Sequence, residues 1–159
     1  MWMIDQKLVK RISEYFIDHS SCFVLGKGKS EAIAQESSLK IKEITYVHAE
    51  GYSTSSLKHG PFALLYKGFP VILISMDDEH HSKSQNAFEE VKSREARIIT
   101  ISDIQSNKNM KDAIVVPKNL TFASLLAIIP IQILSFELAK LKNINPDQPR
   151  NLAKVVTVE

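Results

Sequence analysis

The chain alternates short, wholly apolar runs with longer stretches in which apolar residues return every three or four positions. Between Asp5 and Ile17, Leu8, Val9, Ile12, Tyr15 and Phe16 recur at helical spacing. Ser21–Leu25 is a compact apolar run that ends in Gly26-Lys27-Gly28, as a buried strand entering a tight turn would. Ser30 and Glu31 then open a helix expected to reach about Ile44, with Ser30 as its N-cap. From Val47 to Gly60 the periodicity breaks up, and Ser53-Thr54-Ser55-Ser56 reads as loop. Phe69–Ser75 is a second buried strand, Ser82–Ala96 a polar, charged helix, Ala96–Ser102 a third strand and Asp112–Pro117 a short fourth. Leu120–Lys142 is a long apolar helix that Pro130 should kink, and an extended tail follows from Asn143.

Strands that alternate with helices and are apolar on both faces predict a parallel sheet covered on both sides. The fold class is therefore α/β, in one domain over residues 1–159. In such sheets the ligand crevice lies beyond the carboxyl ends of the strands. That places Gly26–Ser30, Ser75–Asp78 and Ser102-Asp103 near any site.

Composition narrows the function classes. With 44% hydrophobic and 24% charged residues the chain is an ordinary globular one, neither disordered nor collagen-like. Twenty Lys and Arg against 18 Asp and Glu leave a net charge of +2, which gives no support to a nucleic-acid role. The single cysteine, Cys22, excludes a disulfide scaffold and suits a cytoplasmic, reducing setting. No signal peptide is expected at the N-terminus. The uncharged run Leu120–Phe136 is shorter than the ~20 residues of a membrane span and reads as a core helix, so no membrane role is expected.

Several residues have the chemistry of a site. Glu36, Lys40 and Glu43 stand at i, i+4 and i+7, on one stripe of their helix beside the apolar stripe of Ile33, Ile41 and Ile44. A carboxylate at the edge of a core can act as a base near neutrality; spacing alone favours a surface ion pair worth a few tenths of a kcal/mol. His59, before Gly60-Pro61, sits on a turn and can exchange protons near pH 7, though an exposed turn histidine fits as well. His48 reads as half-buried structure. His80-His81 after Asp77, Asp78 and Glu79 reads as a solvated acidic loop rather than a metal cluster, so neither metal nor organic cofactor is expected. Gly26-Lys27-Gly28 lacks the third glycine of a dinucleotide fingerprint and the ending of a P-loop. Ser53–Ser56 offers hydroxyls to a phosphate, and Cys22 reads as inert core.

Three segments carry a specific resemblance: Ala34–Glu50, Leu57-Lys58-His59-Gly60-Pro61, and Asp147-Gln148-Pro149-Arg150-Asn151-Leu152-Ala153-Lys154 running on to Glu159. Together they resemble the carboxy-terminal sugar isomerase (SIS) domain of the glucosamine-6-phosphate synthase family, from about Cys22 to the last residue. The resemblance implies a three-layer α/β/α sandwich of flavodoxin-like or Rossmann-like type with roughly four or five mostly parallel strands. That family makes glucosamine 6-phosphate from fructose 6-phosphate and glutamine, with a glutaminase domain and two tandem SIS domains. The resemblance implies that Glu43 moves a proton between C1 and C2 and that Lys40 assists it. It likewise implies that His59 aids ring opening in a neighbouring subunit's site and that Lys154 forms a Schiff base with the ketose. Ala153 and the tail would close over the sugar, with Glu36 and Ser56 as further substrate contacts.

Two departures stand out. Ser56 occupies a position usually held by Glu in the family. The glutaminase domain and the first SIS domain are absent from the sequence, so the chain alone is expected to be incomplete for catalysis. The expected partners are a sugar phosphate and either a second copy of the chain or the missing SIS domain. A non-catalytic sugar-phosphate-binding module and a purely structural partner are the alternatives; the latter predicts an exposed apolar patch.

Overall fold

The computed structural model describes residues 4–152. Five parallel strands form one sheet in the order β2-β1-β3-β4-β5: β1 (Ser21–Gly26), β2 (His48–Ser53), β3 (Pro70–Ile74), β4 (Arg97–Ser102) and β5 (Ala113–Val115). The chain order reverses between β1 and β3, the switch point of a doubly wound sheet. One face carries Cys22, Val24, Ile72, Ile74, Ile99 and Ile101, packed under α1 (Gln6–Phe16), α2 (Lys29–Thr45) and α5 (Ile128–Leu141). The opposite face carries Phe23, Leu25, Val71 and Leu73. It is covered by α3 (His81–Lys92) and by Leu57 and Phe69 from irregular segments. The α/β sandwich is thus present, with one helical layer much thicker than the other.

Local chemistry explains the boundaries. The Asp5 carboxylate accepts from the Lys7 and Leu8 amides and caps α1. α5 ends in a Schellman turn: Asn143 takes a left-handed φ of 56°, its N–H bonds Lys140 O at 3.0 Å, and the Ile144 N–H bonds Ala139 O at 2.9 Å. The expected kink at Pro130 is a break at Ala127, between α4 (Ala123–Leu126) and α5. The proline ring excludes the carbonyl one turn before it, at residue 126, and Pro130 falls in the first turn of α5, where a missing N–H costs nothing. Residues 123–141 are long and apolar enough to cross a bilayer by length and composition. Here Ile131, Leu134 and Leu138 pack into the core against α1 and α2.

Four expectations need correction. Within the stretch where the periodicity breaks up, residues 48–53 form edge strand β2, and the expected loop Ser53–Ser56 is the end of that strand and the start of a 3-10 turn; the polar HAEGYS sequence hides the strand because only Ala49 and Ser53 are buried. Ser30 does not cap α2: the helix starts one residue earlier, behind Gly28, and the Ser30 hydroxyl lies 3.1 Å from that of Ser124. His48 is exposed and faces Glu50 at 3.5 Å. The tail is also not plainly extended, since the described part, 143–152, turns at Asn145–Gln148.

α2 lies unusually close to the sheet. Its buried stripe is made of small residues, Ser30, Ala34, Ser37, Ser38 and Thr45, with Ile41 the one large member. A Cβ on Gly51 of β2 would fall 2.6 Å from the Gln35 Cα, so only glycine fits beneath the helix there.

At the other edge a buried carboxylate ties three elements together. Asp112 accepts from Arg97 Nε at 3.0 Å and Nη2 at 3.2 Å, and from Arg11 of α1 at 3.0 Å. Arg97 also stacks on the Tyr15 ring at 3.9 Å. Burial by itself pushes the Asp112 carboxyl up, but Arg97 and then Arg11 outweigh it and hold the carboxyl below its ordinary value. A folded-state value below the unfolded one, about 3.9, adds stability that is present above that pH and lost as pH falls through the folded value. Asp112→Asn is expected to cost about 1–3 kcal/mol in urea unfolding at pH 7. The variant should also lose less stability than the parent on acidification; equal acid losses in both would show that this carboxylate is not the sensitive group.

Candidate functional site

The stripe on α2 is a formed cluster. Lys40 Nζ donates to Glu43 Oε2 at 2.8 Å and lies 3.5 Å from Glu36 Oε1. The Lys40 and Glu43 side chains are 32% and 30% exposed, so the pair flanks the core and keeps an open side for a reactant. The hydrogen bond from Lys40 to Glu43 is the largest effect on the lysine, and with the charges of Glu43 and Glu36 it raises the Lys40 pKa despite partial desolvation. Lys40 is therefore held as a cation at neutral pH. Of the pair, the carboxylate of Glu43 is the one able to accept a proton.

His59 lies elsewhere. It ends a 3-10 turn, Thr54–His59, that leaves the carboxyl end of β2, and Gly60 follows with φ 142°. The turn is held firmly. Leu57 is fully buried, Lys58 pairs with Glu90 of α3 at 2.6 Å, and Lys27 donates to Ser53 and Ser55 at 3.3 and 2.7 Å. His59 itself is exposed, and Ser56 is half-buried in the same turn. α2 starts at the carboxyl edge of the sheet and runs back to its amino edge, so Glu43 and His59 sit at opposite ends, about 20 Å apart from element lengths. The structure brings Glu36, Lys40 and Glu43 together and keeps Ser56 and His59 apart from them. Ala153 and Lys154 lie outside the described residues.

The chain just before those two residues meets the end of α2 at Tyr46. The Arg150 N–H donates to the Tyr46 hydroxyl at 2.9 Å, and the Arg150 guanidinium stacks on the Tyr46 ring at 4.1 Å. Tyr46 is the left-handed residue that ends α2, three positions after Glu43. Sequence reasoning missed Tyr46. The one signal was an aromatic residue at a helix end matched to a distant Arg, which no periodicity reveals.

The crevice expected at the carboxyl edge is also present, about 270 Å³ in volume and lined by Lys29, Asp77, Asp103, Lys118 and Ser124 among others. Two of its charged groups have partners within it: Lys118 pairs with Asp77 at 2.5 Å, and buried Asp103 accepts from the Asp77 amide at 2.7 Å. The α2 cluster is not part of it. His80 and His81 diverge: His80 packs on Gly28, while His81 Nδ1 lies 3.2 Å from Ser75 Oγ. Both begin the α3 region rather than a solvated loop. Among the described residues no group of three His, Cys, Asp or Glu side chains converges on a metal position. Cys22 is fully buried, and burial pushes its thiol up to about 12.

A parallel sheet of order 2-1-3-4-5 with an acid–lysine cluster on its second helix defines a class. The SIS domain family model matches residues 15–139, and the chain belongs to that family. Within it, the chain is 49% identical over 160 aligned residues to the "Probable glutamine–fructose-6-phosphate aminotransferase [isomerizing]" of Acanthamoeba polyphaga mimivirus, covering 99% of this chain and 26% of that protein. It is 42% identical to glutamine–fructose-6-phosphate aminotransferase [isomerizing] 1 of Rattus norvegicus, covering 98% of this chain and 23% of that one. The C-terminal domain of glucosamine-fructose-6-phosphate aminotransferase from Francisella tularensis superposes with a TM-score of 0.82 at 33% identity, over 89% of this chain and 41% of the other. The chain thus spans about a quarter of the length of the curated relatives it matches.

The Tyr46–Arg150 contact can be tested on the chain itself. Tyr46→Ala is expected to remove the protection of the Arg150 amide against hydrogen exchange. Tyr46→Phe, which keeps the ring and loses the accepting hydroxyl, should remove most of it as well. Unchanged exchange in Tyr46→Ala would show that the contact does not hold the segment.

Proposed function

We propose that this chain is the second SIS domain of a glucosamine-6-phosphate-forming aminotransferase and supplies the proton-transfer group of its isomerase site. The observation that carries the reading is the Lys40–Glu43 pair, a half-exposed carboxylate beside an amine held charged. The similarity to aminotransferases over nearly the full chain supports it. In this reading the Lys154 amine condenses with the C2 ketone of open-chain fructose 6-phosphate and releases water. Ammonia adds to the imine and displaces the lysine amine. Glu43 then takes a proton from C1 and delivers it to C2, while the C1 hydroxyl gives up its proton and the imine nitrogen gains one, which leaves an aldehyde at C1 and an amine at C2, the open form of glucosamine 6-phosphate. Lys40 stabilises the Glu43 carboxylate and orients it. Tyr46, through Arg150, brings the segment that leads to Ala153 and Lys154 to the amino edge of the sheet, where Glu43 lies. Glu36 holds Lys40 from the other side.

His59 sits about 20 Å from Glu43 within one chain, which supports its service to a neighbouring subunit's site and with it a homodimer. Ser56, on the same turn, would contact that neighbour's substrate. A further face supports a partner domain. Phe122, Leu125, Ile133 and Phe136 form an exposed apolar stripe along α4 and α5, with Leu120 before them 93% exposed. The Francisella tularensis neighbour has more than twice the length matched here, and a first SIS domain of a longer chain is the occupant we assign to this stripe. The cytoplasm, where sugar phosphates are found and thiols such as Cys22 stay reduced, is the expected compartment.

In the complete enzyme, Glu43→Gln should abolish formation of glucosamine 6-phosphate and leave glutamine hydrolysis measurable. Parallel loss of both would overturn the isomerase-specific role. Lys154→Arg should prevent borohydride trapping of a sugar adduct, and an adduct trapped in that variant would remove the Schiff-base assignment.

A further inference from the structure

Two motifs that stand apart in the sequence meet in the fold. Gly26-Lys27-Gly28 leaves the end of β1, and the hydroxyl run Ser53–Ser56 leaves the end of β2. The strands are parallel neighbours in a register that pairs Gly26 with Ser53, so Lys27 and Thr54 emerge side by side at the carboxyl edge. Lys27 Nζ donates to Ser55 Oγ at 2.7 Å and to Ser53 Oγ at 3.3 Å. The lysine is half-buried, and no carboxylate pairs with it among the described residues. Between the turn Thr54–His59 and α3 lies a cavity of about 230 Å³. Thr54, Ser55 and Lys58 line one side; Lys83, Asn86 and Glu90, on one face of α3, line the other.

The cluster holds more donors than acceptors. Each serine hydroxyl that accepts from Lys27 keeps its own proton to give, and no acceptor takes either proton among the described residues. Thr54 is 4% exposed, and its hydroxyl has no hydrogen-bond partner. It is not sealed off as the Ser37, Thr100 and Ser135 hydroxyls are: it keeps surface on the cavity that it lines. A buried hydroxyl left unpaired is costly, and native structures retain few of them. The side chains of Lys83 and Asn86 also lack partners among the described residues. The one carboxylate on the cavity, Glu90, is neutralised by Lys58 at 2.6 Å. Lys27 and Lys83 thus remain as uncompensated positive charge around three hydroxyls.

From this surplus we infer that the cavity is an anion site for a phosphate group, either inorganic phosphate or the phosphoryl end of a small ester. A phosphate is acceptor-rich and charged, and it takes protons from hydroxyls and ammonium groups at once. A carboxylate is a poorer match, because no arginine lines the cavity to present the planar fork that recognises one. The cavity is smaller than the ~300–1,000 Å³ of pockets for larger organic ligands, in keeping with a phosphoryl group. The site lies at the carboxyl edge of the sheet, away from the Lys40–Glu43 cluster at the other end of the strands. An anion bound there ties the ends of β1 and β2 to α3.

The test is an amide NMR titration of the 159-residue chain with inorganic phosphate and with glucose 6-phosphate, at constant ionic strength held with sodium chloride. Saturable shifts at Thr54, Ser55 and Lys83 are expected with phosphate and not with chloride. Stronger binding of the ester would identify a phosphate ester as the source, and equal or weaker binding would identify free phosphate. Lys83→Gln, on the exposed face of α3, and Thr54→Val should each weaken binding about tenfold, the size of one charge-assisted hydrogen bond lost. Shifts no larger than those with chloride, or unchanged affinity in both variants, would overturn the proposal. Glu43 and Lys40 take no part in this readout, so its failure leaves the isomerase reading untouched, and the reverse holds.

Discussion

The close seating of α2 on the sheet is the contact on which most of the structure depends. Ala34 and Gln35 meet Gly51 backbone to backbone, with no room for a side chain between them. Small residues along the buried stripe make that approach possible. The helix is then seated with its small-residue stripe against the sheet, since a larger side chain turned to Gly51 would not fit there. Lys40 and Glu43 come out half-buried at the rim of the core, with Glu36 exposed beside them. A Glu–Lys pair on an ordinary surface helix is worth a few tenths of a kcal/mol and fluctuates. The same pair on a helix clamped to a sheet is a fixed geometry, which is what proton transfer between adjacent carbons requires.

The two layers of the sandwich are built to different standards. The α1–α2–α5 side is dense and apolar, with Ile12, Phe16, Ile131 and Ile72 fully buried. On the α3 side one helix and several short turns do the work, and Leu57 and Phe69 fill what helices would otherwise fill. This arrangement leaves the dense layer to hold the α2 cluster still. The thin layer carries the His59 turn.

Much of this was legible in the sequence, and the reasons are physical. β1, β3 and β4 are buried on both faces, so their apolar runs stand out, and the amphipathic face of α1 is plain at its 3.6 period. β2 was not legible, because an edge strand under a close helix needs Gly and Ala where a strand signal needs β-branched residues. The true N-terminus of α2 was hidden for a related reason: Gly28 ends the loop by taking a φ of 59° rather than by offering a capping side chain. Glu36, Lys40 and Glu43 could be placed on one stripe from spacing, but their chemistry came from the resemblance, since spacing cannot tell a rim from a surface. Tyr46 and Arg150 are 104 positions apart and meet only through the return of the tail, a contact no local pattern encodes.

The division of the candidate residues between two ends of the domain bears on how the site works. A helix following a parallel strand must run back along it, so residues late in α2 and residues just after β2 are separated by the full length of a strand. No adjustment of side-chain rotamers closes a gap of about 20 Å. If both Glu43 and His59 serve one substrate, the second must come from another copy, placed with its carboxyl edge against the first copy's amino edge. Isologous pairing about a two-fold axis meets that demand twice over, since each chain then lends its histidine and receives one. The firm anchoring of the His59 turn by Leu57 and Lys58 fits such a loan. A residue used in the same chain can rely on its own surroundings for position, whereas one offered across an interface must already be fixed before the partner arrives.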